Sequence, residues 1–254
     1  MAESTLSLGY PDYCTEVGYY LGYGRDTVAS PTVWSSGQVT EIDAVVQAGY
    51  RQFLSPPTPH TWSFLYPLTT LALTASDYDY DLPDAFGGEI SQLRYATTDN
   101  QFGPVTIVPL DFILSRQEAG TSTGKPVCAA LLPKTVTAGS TGQRWRLYLW
   151  PTPDSTYTLS YRYKALVAKL TSAAPYPLGG QAHAQTIEAA CLAIAEERLN
   201  DERGIKHMRW LEMLAASITV DKRASTPEYF GQNLDREGRR YFRPLPTRVL
   251  LNGV

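Results

Sequence analysis

The chain has 254 residues, of which 43% are hydrophobic, enough for one large domain or two small ones with a true core. With 25 acidic against 22 basic residues the net charge is -3, which excludes a globally basic protein built to hold nucleic acid or an acidic membrane. The cysteines Cys14, Cys128 and Cys191 are odd in number and far apart, so neither a disulfide framework nor a metal knuckle is expected, and a reducing compartment during folding is the simpler inference.

"MAESTLSLGYPD" has no basic region followed by an apolar run, and nowhere do about 18 apolar residues run together, so neither a signal peptide nor a membrane span is predicted. Residues 11–22 fit a short helix. Residues 36–54 fit a longer one: Val39, Ile42, Val46, Tyr50 and Phe53 recur at three or four, Ser35 and Gln38 suit a capping box, and "SPP" stops it. From Trp62 the period changes. "TTLALTAS", "SQLRYAT", "PVTIV", "CAALLP", "WRLYLW" and "TYTLSYRY" are short runs between Gly, Pro and Asp clusters, which predicts an antiparallel β domain. In the last of them Tyr157, Leu159, Tyr161 and Tyr163 share one face, packed, and Thr158, Ser160 and Arg162 the other, wet. Between the strands "PLDFILSRQEAG" fits one short helix that brings Phe112, Ile113 and Arg116 near one another.

After "PYPLGG" the helical period returns, first as a stripe of Ile187, Cys191, Ile194 and Leu199, then as Ile205, Met208, Leu211, Ala215 and Ile218. A hairpin bent at Asn200–Gly204 is the reading, with one long helix as the alternative because a single glycine does not compel a break. The expected fold class is α+β: a helical bundle from N- and C-terminal segments with an inserted antiparallel β domain. The expected divisions are 1–60 for the N-terminal helices, 61–170 for the β insertion, 171–223 for the C-terminal hairpin and 224–254 for an extended arm.

"HAQTIEAACLAIAEERLNDERG", residues 183–204, collects a histidine, a cysteine and several carboxylates. His183 and Cys191 are eight residues apart, about 12 Å of rise and ~80° of rotation on a helix, whereas a thiolate and its base must approach to about 3 Å. Cys191 reads as a buried inert thiol, and His183 as a capping or surface residue at a helix start. Glu188, Glu196, Glu197 and Asp201 interleave with Arg198 and Arg203, a pattern of solvated or subunit-facing surface. "DYDYDLPDAFGGE" is spaced like a calcium loop but has Leu82 and Gly88 where a glycine and a glutamate are needed, so it reads as a strand ending in a turn. "GTSTGKP" lacks one residue between its glycines and has Pro126 where a P-loop needs Ser or Thr, so it reads as a loop. His60, His183 and His207 have no zinc spacing. No cofactor, metal or catalytic residue is expected.

Taken in order, "VGYYLGYGRD", "EIDAVVQAGYRQFLSPP", "HTWSFLYP", "YDLPDAFGG", "LWPTPDSTYTLSYRYKAL", "YPLGGQAHAQTIEAACLAIAEERLND" and "EYFGQNLDR" resemble the head-to-tail adaptor, or neck, proteins of tailed bacteriophages over residues 16–236. The resemblance implies a virion structural protein without enzymatic activity, made in the host cytoplasm. It implies a homo-oligomeric ring, commonly dodecameric, below the portal protein, joining it to a downstream tail or nozzle protein and lining the channel for passing double-stranded DNA, with no membrane partner. The residues of the last 30 positions add aromatics and arginines without helical period, so Tyr229, Phe230, Arg239, Arg240, Tyr241 and Phe242 are the candidates for docking on the portal or a neighbouring subunit. Glu188, Glu196, Glu197, Arg198, Asp201 and Arg203 are the candidates for the ring-wall surface. The alternative is a carbohydrate-binding module or glycosidase using Trp62, Trp145, Trp150 and the tyrosines of the β portion. Nucleic-acid binding as the main activity is disfavoured by the net charge.

Overall fold

The computed structural model describes residues 4–96, 103–120, 122–134 and 142–225. Two cores form, one between helices and one between sheets. Helix α1 (Tyr10–Tyr20) starts where Asp12 accepts the Gly9 N–H at 2.8 Å, with Pro11 in its first turn. It buries Tyr10, Tyr13, Cys14 and Val17. The loop that follows folds around one carboxylate: Asp26 accepts the N–H groups of Thr32, Val33 and Trp34 at 2.7, 2.6 and 2.9 Å. These bonds, from Trp34 and Val33 above all, hold its carboxyl well below the usual carboxylate range. Helix α2 (Ser36–Leu54) begins with the expected capping box, the Ser35 N–H donating to Gln38 Oε1 at 2.8 Å and the Gln38 N–H to Ser35 Oγ at 3.4 Å. Ile42, Val46, Tyr50 and Phe53 are buried along its inner face.

The chain then enters the β unit through a 3₁₀ turn, Ser63–Leu65. One sheet centres on β8 (Tyr157–Ala165), flanked by β1 (Leu68–Leu73), β3 (Phe86–Ile90) and β4 (Arg94–Tyr95). The other runs β2 (Asp79–Asp81), β7 (Arg144–Trp150), β6 (Cys128–Lys134), β5 (Thr106–Ile107). The inner faces meet through Leu73, Phe86, Tyr95, Leu159 and Tyr161 from the first and Tyr80, Ala129, Leu147 and Leu149 from the second. The alternation in β8 holds, with Leu159 and Tyr161 buried and Arg162 exposed. One strand pair departs from the antiparallel expectation: β5 runs parallel to β6. Its connection explains this, because helix α3 (Leu110–Glu118) carries the chain back along the sheet before β6 starts. On α3 Ile113 is buried and the Arg116 guanidinium lies over the Phe112 ring at 5.3 Å, as the spacing predicts.

"DYDYDLPDAFGG" is β2, a turn and the start of β3. In the "GTSTGKP" loop the Lys125 ammonium sits 4.2 Å from the Tyr95 ring centre, a cation-π contact in place of a phosphate cradle.

Helices α4 (Gln181–Asn200) and α5 (Ile205–Ser225) close the bundle as an antiparallel pair, joined by a corner in which Asp201 takes the left-handed conformation at φ 54°. Deep between them Thr186 Oγ1 and Ser217 Oγ share a hydrogen bond of 2.6 Å. The C-terminal arm, with Tyr229, Phe230, Arg239, Arg240, Tyr241 and Phe242, lies outside the described residues.

Candidate assembly surface

Within the segment 183–204 the histidine and the cysteine have separate surroundings. Cys191 is fully buried, burial pushes its thiol up, and its Sγ–H points at the Val46 carbonyl 3.6 Å away. His183 is neither a cap nor a surface residue: it is 4% exposed and boxed by Trp62, Phe64 and Phe53, with ring centres 5.2, 5.5 and 5.8 Å away. Burial holds its imidazole below the ordinary histidine range. Gly180 takes the cap position, with no side chain to offer.

A polar cluster whose members are too far apart in sequence to form a motif lies at the junction of bundle and β unit. Asp221 of α5 accepts the Ser63 hydroxyl at 2.6 Å and meets His60 Nε2 at 2.8 Å. The three residue types are those of a nucleophilic triad, but the wiring is wrong. A serine nucleophile must give its proton to the histidine, and here the hydroxyl donates to the carboxylate, with the Ser63 N–H added at 3.1 Å. The cluster pins the C-terminal half of α5 to the linker. Among the described residues no group of three or more His, Cys, Asp or Glu side chains could hold a metal ion.

Glu196 is a correction. It is 6% exposed, so it is no wall-surface acid, and its Oε2 accepts the N–H groups of Gly204 and His207, both at 3.1 Å. It supplies the cap for the first turn of α5, where unpaired amides would otherwise be left. Glu188 is half-buried, and burial together with Glu16 raises its carboxyl against the pull of Arg209 and Lys206. Arg198, Asp201 and Arg203 are exposed as expected, and Glu197 accepts an ion pair from Arg203 at 3.5 Å.

The apolar stripes also need correction. Ile187 and Cys191 are buried and Ile194 packs half-buried on the core, but Leu199 is 56% exposed. On α5 the buried face is Trp210, Leu214, Ser217 and Asp221, while Ile205, Met208 and Leu211 are 80%, 64% and 41% exposed, with Ala215 exposed beside them; of the expected stripe Ile218 alone packs, half-buried, on the core. At ~100° per residue the expected stripe is turned about 120° from the buried one. The spacing of Trp210, Leu214, Ser217 and Asp221 is helical too. Two polar members hid it.

The three tryptophans invoked for sugar binding are occupied. Trp62 is fully buried and donates its Nε1–H to the Phe53 carbonyl at 3.0 Å. Trp145 packs on Phe86, ring centres 6.0 Å apart, and Trp150 lies under Arg116.

A family model described as SU10 adaptor protein matches residues 10–245, which takes in the five α-helices and two sheets of the described residues. The chain belongs to the SU10 adaptor protein family. It is thus a phage adaptor-type protein, associated with the virion, in a family of structural proteins that are not typically enzymes. No curated protein matches the chain. Among the described residues no helix is long and apolar enough to cross a membrane.

Proposed function

We propose that this adaptor-family protein is a head-to-tail connector without catalytic activity, forming a ring below the portal that joins capsid to tail or nozzle and surrounds the DNA path. The observation that carries this reading is the outward side of the α4–α5 hairpin. It combines exposed apolar residues with interleaved charges of both signs, a surface suited to protein contact. A ring needs heterologous interfaces that close by rotation. A chain of net charge -3 also lets DNA slide, because the many phosphate contacts that would grip it require clustered cations.

In this reading the arm, through Tyr229, Phe230, Arg239, Arg240, Tyr241 and Phe242, docks on the portal or a neighbouring subunit. The sugar-binding alternative has little to work with once Trp62, Trp145 and Trp150 are committed to packing. The test is mass measurement of the purified protein alone and mixed with its portal, with negative-stain images of the mixture. A ring on the portal supports the reading, and a protein that stays monomeric with the portal present overturns it. Deletion of residues 225–254 should abolish portal binding, and unchanged binding would sink the docking role of the arm.

A further inference from the structure

The run "SPPTPH", residues 55–60, cannot continue α2, because its prolines remove backbone donors and clash with a further turn. The chain crosses to the β unit instead and leaves a groove of about 520 Å³ between this linker and the end of β8. Leu54, Pro59, Trp62 and Leu166 give the groove its apolar walls, and Leu166 is 54% exposed there. Arg51 and Lys164 belong to the lining, which includes no carboxylate. Lys164 is paired with Glu89 at 3.2 Å, whereas among the described residues no acid pairs with Arg51. We infer that Tyr229 and Phe230 of the same chain fill this groove before assembly, with Glu228 meeting Arg51. The contact belongs to the free chain and does not require the ring. Docking of these two aromatics on the portal then begins with their release.

Reach, size and charge choose this occupant. His60 lines the groove, and its Nε2 is held at 2.8 Å by Asp221 of α5. That helix ends at Ser225, one turn further on and about 6 Å of rise. The five residues from Thr226 to Phe230 span up to about 17 Å when extended, enough to turn back to the groove. A tether this short holds its own aromatics at an effective concentration on the order of millimolar, ahead of a free partner. The volume lies in the range of about 300–1,000 Å³ that suits a compact ligand, so it takes large side chains and not a whole helix. The arm carries two Tyr-Phe pairs. Tyr229 and Phe230 follow Glu228, and no Lys or Arg occurs from 226 to 235, whereas Tyr241 and Phe242 lie between Arg240 and Arg243. A groove with an unpaired guanidinium and no carboxylate in its lining attracts the first pair and repels the second.

The test uses the full chain alone and dilute, under brief chymotrypsin digestion. Cleavage after Tyr229 and Phe230 is scored by mass spectrometry against cleavage after Tyr241 and Phe242 in the same arm. Cutting at a docked site tracks the population of its open form, so Leu166→Asp should speed the first cut about tenfold and leave the second unchanged. Arg51→Glu should do the same. Adding Glu228→Arg to Arg51→Glu should restore the wild-type ratio, which a merely misfolded variant would not do. In parallel, a photo-crosslinking amino acid at position 166 should give adducts within one chain to residues 226–235. Equal cleavage ratios in wild type and both groove variants overturn the docking. Adducts from position 166 only between two chains, or only outside residues 226–235, overturn it as well.

Discussion

A Cβ placed on Gly49 would stand 2.5 Å from the Cα of Cys191, so α2 and α4 meet backbone to backbone. Gly49→Ala gains up to about 1 kcal/mol in helix propensity. It loses about 1–3 kcal/mol to overpacking against a backbone that cannot turn aside. The second effect wins, because 2.5 Å from a backbone atom the loss lies at the upper end of its range, and urea denaturation should show a net loss of about 2 kcal/mol. An alanine variant as stable as wild type would mean that the two helices are not in close contact.

The same contact shields a thiol. Cys191 is fully buried with its thiol pushed up, and burial raises Cys14 to about 12, while Cys128 on β6 is partly exposed. Mass-resolved labelling with a thiol reagent at neutral pH should modify Cys128 first and the other two only on unfolding. Native-state labelling of Cys191 as fast as Cys128 would revive the idea of a reactive cysteine here.

Some of this was legible in sequence because local rules and tertiary packing agree there. Ser35 and Gln38 form the capping box that their spacing implies, and Leu159 and Tyr161 face inward because a half-buried strand alternates. The failures come from α5 and Glu196. Periodicity counts apolar residues, and α5 carries two helical rows of which the richer one, Ile205, Met208, Leu211 and Ala215, is exposed. The buried row includes Ser217 and Asp221, whose partners Thr186 and Ser63 are remote in sequence. Glu196 looked like one more solvated acid because charge patterning cannot see that the chain turns back and offers it two amides.

That turn gives a third expectation. Removing the carboxylate in Glu196→Ala leaves the Gly204 and His207 amides without their acceptor, at a cost of about 1–2 kcal/mol in a urea titration. Glu196→Gln keeps a carbonyl oxygen and should lose less than half of that. Equal effects of the two variants would show that charge, not acceptor geometry, holds the corner.

Ile194 and Leu199 share one helical spacing but should behave differently. Ile194→Asp puts a charge against the bundle core and should cost at least about 3 kcal/mol or prevent folding. Leu199→Asp, at an exposed site, should stay within about 0.5 kcal/mol of wild type. Similar urea midpoints for the two would contradict the orientation of α4.

The pH dependence of stability should show two separate windows. Burial depresses His183 in the folded state, with Asp221 opposing and His60 adding to the shift. Its contribution is therefore complete above the unfolded histidine value of about 6.5 and is lost as pH falls below it. At Asp221 burial pushes the carboxyl up, but the Ser63 donors and His60 outweigh it and the net shift is downward. Its contribution is present above the unfolded carboxylate value of about 3.9 and is lost as pH falls through the lower folded value. Urea midpoints measured from pH 7.5 to 3 should thus fall in two steps. His183→Phe, which keeps the ring box filled, should flatten the step near pH 6, and Asp221→Asn the one below pH 4. His183→Ala should instead lower stability at every pH by about 1–3 kcal/mol, because it empties a site packed by three aromatic rings. A phenylalanine variant that keeps the wild-type slope between pH 7.5 and 5 would show that His183 is protonated as easily in the folded chain as in the unfolded one, and hence that the aromatic box does not exclude its charge.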